Sequence, residues 1–447
     1  MSTIATDKQY VIVGMGQTGL SCARFLSRLG RRFTVMDTRE APPLLAEFKQ
    51  HFHTAEMVLG RLDEGILMQA DEVILSPGVS LDHPVIKSVL DLGIKVRGDI
   101  DIFVDYAKAP VIAITGSNGK STVTTLLGKM AQQNGTKVAV GGNLGTPALE
   151  LLDQDVELYI LELSSFQLET TESLNADCVT LLNISEDHMD RYPSKLAYLQ
   201  AKQRIFRGAK TVVINDDDAL SQPLISSNMS VTHFGLGGQD LKKFSITEHG
   251  NQHYLTYGFE LLIPINELAL KGRHNLSNAL AALALGSSAG LRTDAMLAVL
   301  RTFPGLTHRC QWVGSKHGVD YINDSKGTNT GATAVAIESF GDMASGKLVL
   351  IAGGDSKGAD MTPIAEPMKI YGKSAILFGR DAKIIADALG EMTKLSFVSD
   401  LAEAVTLAAE QAGTGDVVLF SPACASFDMF ANFEERGEAF VKEVANI

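Results

Sequence analysis

Residues 111–130 set an apolar strand, a glycine-rich turn, a lysine–serine pair and a helix in unbroken succession. Val111 and Ile112 open the strand. Ala113-Ile114-Thr115-Gly116-Ser117-Asn118-Gly119-Lys120-Ser121-Thr122 follows, and helical periodicity runs from Val123 to Met130. A turn that feeds a helix start leaves its backbone N–H groups without partners inside the helix, and the positive end of the helix dipole lies beside them. That combination binds anions. Lys120 is placed to reach terminal phosphates, and the Ser121 hydroxyl to reach Mg²⁺, so the layout predicts a nucleoside triphosphate. Only Ser117 and Asn118 separate Gly116 from Gly119, whereas the common phosphate loop is longer.

The rest of the chain repeats the strand–turn–helix order. Tyr10 to Val13 reads as a strand and leads into Gly14-x-Gly16-x-x-Gly19 and a helix from about Leu20 to Leu29. Phe33 to Met36 ends in Asp37, and Glu72 to Leu75 ends in Ser76-Pro77-Gly78. Val96-Arg97-Gly98-Asp99 reads as the exit from this segment. The second segment holds the phosphate loop and strands at 137–140, 158–161, 179–183 and 212–215. Short alternating runs from Val231 to Ile265 predict a small antiparallel insertion, and helical periodicity returns from Asn275 to Gly290. Phe303-Pro304-Gly305 marks a second boundary. Beyond it, strands at 321–322, 348–352, 374–378 and 417–420 end in Gly, Ser or Asp turns.

This alternation predicts an α/β chain of three domains: Rossmann-like 1–98, a central P-loop ATPase-like parallel-sheet domain 99–303, and Rossmann-like 304–447. The 447 residues and 45% hydrophobic content suit a globular multidomain chain. A net charge of -13 argues against non-specific nucleic-acid binding. Cys22, Cys178, Cys310 and Cys424 form no Cys-x-x-Cys pair, which speaks against zinc or a disulfide framework and fits a reducing cytoplasm. The polar start Met1 to Lys8 does not read as a signal peptide, and Ala279 to Leu285 is too short to span a membrane.

Several clusters carry chemistry. Glu162 ends an apolar strand beside the phosphate loop, where an acid can hold Mg²⁺ or merely be solvated. Asn183-Ile184-Ser185-Glu186-Asp187-His188-Met189-Asp190-Arg191-Tyr192 is either a metal-feeding turn or an ordinary polar loop. Arg309, Asp324 and Lys326 cluster at the start of the third segment, in loops that either reach the triphosphate or turn at the surface. Ser421 to Asp428 follows the last strand and either lines a crevice or caps a helix. The Gly14-x-Gly16-x-x-Gly19 turn with Asp37 allows dinucleotide binding, which leaves an NAD-dependent oxidoreductase open; a bound nucleoside diphosphate would use the same helix end.

Taken in order, these segments resemble the Mur ligases and folylpolyglutamate synthases. The residues that carry the likeness are Thr115 to Thr122, Leu161-Glu162-Leu163-Ser164-Ser165-Phe166-Gln167-Leu168, Asn183 to Tyr192, Gly272-Arg273-His274-Asn275, His308-Arg309 and Asn323-Asp324-Ser325-Lys326. That family uses the shortened loop spacing. Ser421-Pro422-Ala423-Cys424-Ala425-Ser426-Phe427-Asp428 with Phe433-Glu434-x-Arg436-Gly437 is most similar to the member that adds D-glutamate. Ser117 stands where the family more often has Thr. A folylpolyglutamate synthase would not need the first segment, and Asp-Asn-Pro-Arg, associated with the diaminopimelate- or lysine-adding member, does not occur.

The resemblance implies an ATP-dependent amide ligase of peptidoglycan synthesis that joins D-glutamate to UDP-N-acetylmuramoyl-L-alanine through an acyl phosphate. It implies ATP contacts at Gly116, Ser117, Asn118, Gly119, Lys120, Ser121, Thr122, Asn275, Arg309 and Asp324. Two Mg²⁺ ions are implied, held by Ser121, Glu162, His188 and a carbamylated Lys202, with Lys120, His188 and Lys202 catalytic. Gln17, Thr18, Thr38, Arg39, Ser76, Pro77, Gly78 and Asn143 are implied to hold the UDP-linked substrate. Thr328, Lys357, Ser426 and Phe427 are implied to hold D-glutamate. The three domains then bind the UDP substrate, bind ATP, and bring the amino acid while closing on ATP. The partners are small molecules only, without nucleic acid or membrane insertion, for a cytoplasmic monomer.

Overall fold

The computed structural model describes residues 8–185, 187–189, 191–223, 229–390 and 393–447. Three sheets follow one another along the chain. The first holds β1 (Tyr10–Val13), β2 (Phe33–Asp37), β3 (Glu56–Leu59), β4 (Glu72–Leu75) and β5 (Lys95–Arg97) in spatial order 3-2-1-4-5. All its pairings are parallel. The order reverses between β1 and β4, which puts a crevice at their carboxyl ends.

The central sheet contains β6 (Val111–Thr115), β7 (Val138–Gly142), β8 (Leu158–Glu162), β9 (Cys178–Leu181), β10 (Thr211–Asn215), β11 (Ser230–Phe234), β12 (Lys243–His249), β13 (Gln252–Tyr257) and β14 (Glu260–Pro264). Its order is 14-13-12-11-10-9-6-8-7. The strands β6 and β9 are fully buried and almost wholly apolar, as parallel strands covered on both faces must be. The antiparallel pairing expected after Val231 is present in β12–β13 and β13–β14. It forms no separate insertion: β11 pairs in parallel with both β10 and β12, so the hairpins extend the central sheet. Phe244, Leu255 and Ile263 join the same core as Ile112, Leu126 and the helix Arg273–Ser288, and that shared burial holds the extension in place.

The third sheet holds β15 (Gln311–Lys316), β16 (Val319–Asn323), β17 (Leu348–Gly353), β18 (Gly372–Phe378), β19 (Lys394–Phe397) and β20 (Val417–Phe420), in order 15-16-20-17-18-19. Only β15 runs antiparallel to its neighbour. Strands β3, β5 and β19 escape sequence reading because they are short edge strands that keep polar or exposed residues.

The segment expected to leave the first domain is strand β5 followed by Gly98, which precedes the helix Asp99–Tyr106. That helix buries Ile100, Ile102 and Phe103 in one cluster with Ile12 and Leu20 of the first lobe and Tyr159 and Leu161 of the second. The first two lobes thus share apolar core. The third packs around two clusters of its own.

Candidate active site

Strands β9, β6 and β8 lie side by side, so whatever follows each of them emerges at one edge of the sheet. The turn after β6 is the glycine-rich turn expected to bind phosphate, called the phosphate loop below. Gly119 stands there at φ +83°, before the helix Lys120–Gln133, and a Cβ at this position would lie 2.5 Å from Asn278 Oδ1. Both the left-handed backbone and the close amide require glycine.

Lys120 Nζ donates to Gly116 O at 2.8 Å and Ser117 O at 2.9 Å. Lys202, on the helix Lys195–Gln203 between β9 and β10, donates to the same Gly116 O at 2.9 Å and to Thr115 Oγ1 at 3.3 Å. Two amines therefore meet on one carbonyl. Lys202 is only 1% exposed. Burial first, and then the charge of Lys120, push its pKa well below the ordinary lysine value. Desolvation also lowers Lys120, against the pull of Glu162 and Asp187. The Lys202 ammonium lies 4.8 Å from the Tyr198 ring centre, and the Tyr198 hydroxyl shares a 3.1 Å hydrogen bond with Ser117 Oγ. Only the resemblance singled out Lys202, and Tyr198 was passed over, because neither partners nor burial show in local spacing.

Glu162 ends β8, 2% exposed. Its Oε1 accepts from Asn143 Nδ2 at 2.7 Å, and its backbone O accepts from Asn143 N at 2.8 Å. Its Oε2 is buried with no hydrogen-bond partner. An orphaned carboxylate oxygen beside a phosphate loop suits Mg²⁺, which keeps water and phosphate ligands and needs few from protein. Among the described residues, no three His, Cys, Asp or Glu side chains gather as a metal cage. Glu186 and Asp190 lie outside the described residues.

His188 follows β9 with φ +57°. Its ring meets Phe166 edge-on at 4.9 Å and lies 6.4 Å from Tyr198, with Nε2 3.7 Å from Asp187. The third lobe enters through Arg309, whose Nη2 donates to Ser121 Oγ at 2.9 Å. Phosphate loop, Lys120, Ser121, Glu162, Lys202 and Arg309 therefore form one polar cluster at the junction of two lobes.

The remaining expected ATP residues sit less directly. Asn275 donates to Lys271 O and accepts from Asn278, so it meets the loop through Asn278. Asp324 accepts from Cys310 N and Ser421 Oγ, and burial lifts its pKa to about 6.

The expected UDP residues of the first lobe lie at the ends of β1, β2 and β4. Gln17 and Thr18 begin the helix Gln17–Arg28, Thr38 and Arg39 follow β2, and Ser76-Pro77-Gly78 follows β4, with Ser76 Oγ donating to Gly14 O at 3.4 Å. Asp37 is already satisfied: Arg39 N and Nε donate to Oδ1, while Met15 N and Arg39 Nη2 donate to Oδ2. In a dinucleotide enzyme that acid would face the ribose.

In the third lobe, Thr328 follows β16, Lys357 follows β17, and Ser426 and Phe427 follow β20; these three strands are adjacent. Lys357 Nζ stands 5.8 Å from the Phe427 ring centre. Lys326 Nζ lies closer to another ring, 3.9 Å from the centre of Phe433. The buried Arg436 ties the strand-end loops together by donating to Ser325 Oγ, Ser325 O and Cys424 O at 2.8–3.1 Å. Phe433 and Arg436 belong to the closing motif, but their roles show only when the loops are placed.

Comparison with known proteins shows the family. Three family models match in sequence: the Mur ligase MurD-like N-terminal domain over residues 8–98, the Mur ligase middle domain over 114–286, and the Mur ligase glutamate ligase domain over 308–424. The chain belongs to the Mur ligase family. UDP-N-acetylmuramoylalanine–D-glutamate ligase of Pseudomonas syringae pv. tomato is 54% identical over 99% of both chains, and that of Pseudomonas aeruginosa 53% identical over 100% of both. Solved structures share the fold at lower identity. UDP-N-acetylmuramate-alanine ligase of Thermotoga maritima is 18% identical with a TM-score of 0.60, covering 98% of this chain and 99% of that one. MurF ligase of the same organism, in complex with ADP, is 16% identical with a TM-score of 0.61, covering 98% of each chain. Among the described residues, no helix is long and apolar enough to cross a membrane, and all four cysteines are free.

Proposed function

We propose that this chain joins D-glutamate to UDP-N-acetylmuramoyl-L-alanine, driven by conversion of ATP to ADP and phosphate, in the synthesis of peptidoglycan precursors. The observation that carries this reading is that relatives 52–54% identical, over almost the whole chain, bear that activity as their name. The cluster of Lys120, Ser121, Glu162 and Arg309 at one lobe junction supports it independently.

A carboxylate is a poor acyl donor near neutral pH. In the proposed reaction, the alanyl carboxylate oxygen attacks the γ-phosphorus, ADP leaves, and an acyl phosphate results. The amine of D-glutamate then attacks the acyl carbon, the amide bond forms, and phosphate and a proton leave. Charge builds on phosphate oxygens, so catalysis is mostly positioning and neutralisation. We assign neutralisation to Lys120 and Arg309 and ATP cradling to the loop Gly116–Thr122. Asn275 and Asp324 are assigned to the nucleoside side. Two Mg²⁺ ions, when bound, would supply further neutralisation of phosphate charge; Ser121, Glu162, His188 and the modified Lys202 are the side chains proposed to hold them.

Lys202 is proposed to act as a carbamate, formed when its neutral amine adds to CO₂ and loses a proton, which turns a buried cation into an anion that supports the metal. A depressed pKa favours the neutral amine this needs. The UDP substrate is assigned to the carboxyl edge of the first sheet together with Asn143. D-glutamate is assigned to Thr328, Lys357, Ser426 and Phe427, with lysine pairing a carboxylate. Four free cysteines suit the proposed cytoplasmic setting, and a monomer suffices for the scheme.

The direct test is ADP release with UDP-N-acetylmuramoyl-L-alanine and ATP against a panel of D- and L-amino acids. D-Glutamate alone should support turnover. Turnover with a different amino acid, or none with D-glutamate, contradicts the reading.

A further inference from the structure

The turns after β10, β9 and β6 are stitched in two tiers, and the middle one is held from both sides. On the outer side, Asn215 Nδ2 donates to Leu182 O at 2.7 Å, and Asp218 Oδ2 accepts the Ile184 N–H at 2.7 Å. Asp218 is itself fixed, because its Oδ1 accepts from Leu220 N at 2.9 Å. On the inner side, the Asn183 side chain faces the phosphate loop. Its Oδ1 accepts the Asn118 N–H at 2.8 Å, and its Nδ2 donates to Asn118 O at 3.1 Å. Asn183 O also accepts from Ser117 N at 2.9 Å. The backbone groups Leu182 O and Ile184 N serve the outer tier while Asn183 O and its side chain serve the inner one, so one stretch of chain holds both.

An asparagine amide offers a donor and an acceptor side by side, as the Asn118 backbone does. Capturing both groups of Asn118 fixes the peptide planes before and after that residue. The second of those planes carries the Gly119 N–H, so the clamp sets where that donor points, just before the helix opens at Lys120. Both polar ends of Asn183 are used in this clamp, so it does not itself need to touch the nucleotide.

We propose that Asn183 is a positioning residue for ATP, preforming the phosphate loop by clamping the Asn118 backbone, with Asp218 as its buttress from the opposite side. The inference rests on the nucleotide-binding part of the proposed function and on none of its amino-acid specificity.

The test titrates the full-length protein with the ATP analogue AMP-PNP and Mg²⁺ by calorimetry, and measures KM for each of the three substrates and the melting temperature. Asn183→Ala should weaken AMP-PNP binding about tenfold or more, the equivalent of losing two hydrogen bonds; the isosteric Asn183→Asp keeps the acceptor for Asn118 N–H but sets an oxygen against Asn118 O in place of the donor, and should weaken binding as well. KM for ATP should rise in step, while KM for the UDP substrate and for D-glutamate stay within about twofold. Asp218→Ala should give a smaller loss of the same kind, and the Asn183→Ala, Asp218→Ala pair should lose less than the product of the single effects, as coupled sites do.

Unchanged AMP-PNP affinity in a folded Asn183→Asp protein overturns the inference. So does a parallel rise of all three KM values with a fallen melting temperature, the mark of a merely structural residue. Should Asn183→Ala not fold, the isosteric variant decides alone. Failure of the unaltered protein to bind AMP-PNP overturns the nucleotide reading and this inference together.

Discussion

Lys120→Ala is expected to reduce ADP release by about 10³-fold or more while the protein still melts near its original temperature. In the structure the Lys120 ammonium leans on two carbonyls of its own loop, Gly116 O and Ser117 O. Carbonyl dipoles are weaker partners than the charge of a triphosphate, so the side chain is free to exchange one for the other. Its removal takes away the mobile cation at the site where negative charge accumulates. Stability should change little, because Lys120 is only partly enclosed and stands near a second amine, Lys202. ADP-release kinetics and a thermal melt check both halves. Near-normal turnover in the variant would contradict the phosphate-loop assignment.

The second large effect is expected at Lys202. Lys202→Ala should lower turnover by about 10²–10³-fold, the scale of losing one preorganised electrostatic group. Its distinguishing mark is rescue. If the working form of the side chain is an anion at the end of a long stem, the truncated side chain leaves space between Thr115, Gly116 and Tyr198. A small carboxylate such as acetate should enter that space and restore part of the rate, whereas a matched concentration of chloride should not. If the working form were the ammonium, a small amine would rescue and acetate would fail. Unchanged turnover in the variant would take Lys202 out of the chemistry altogether.

What sequence reading could reach depended on the distance over which each signal acts. The phosphate loop is local: glycine, lysine and serine stand in one turn, and the strand before them is a run of apolar residues. Glu162 is nearly as local, since an acid closing a buried strand is itself a signal. The alternation of strands and helices carried the α/β reading, and β-branched runs placed most inner strands. The edge strands β3, β5 and β19 were lost because exposure lets them keep polar residues.

Long-range contacts left no trace in spacing. Arg309 meets Ser121, and Lys326 meets the Phe433 ring, only after two lobes or two loops are folded together. Asn183 looked like one more polar loop residue, yet both ends of its amide are taken by one backbone residue of another strand end. Lys202 is the plainest case. Local spacing did not mark it, resemblance gave it a role, and the structure places the amine in a pocket closed by Tyr198 and the phosphate loop.

The central claim is that Lys120 and Glu162 serve one magnesium–ATP pocket. Diffraction from crystals soaked with Mn²⁺ and AMP-PNP tests it most directly, because manganese marks the metal position by its anomalous signal. The account predicts a strong peak at Ser121 Oγ and Glu162 Oε2 and a second toward His188 and Lys202, with Lys120 Nζ turned from the Gly116 carbonyl onto the phosphates. A triphosphate bound elsewhere, or no manganese peak at Glu162, would contradict it.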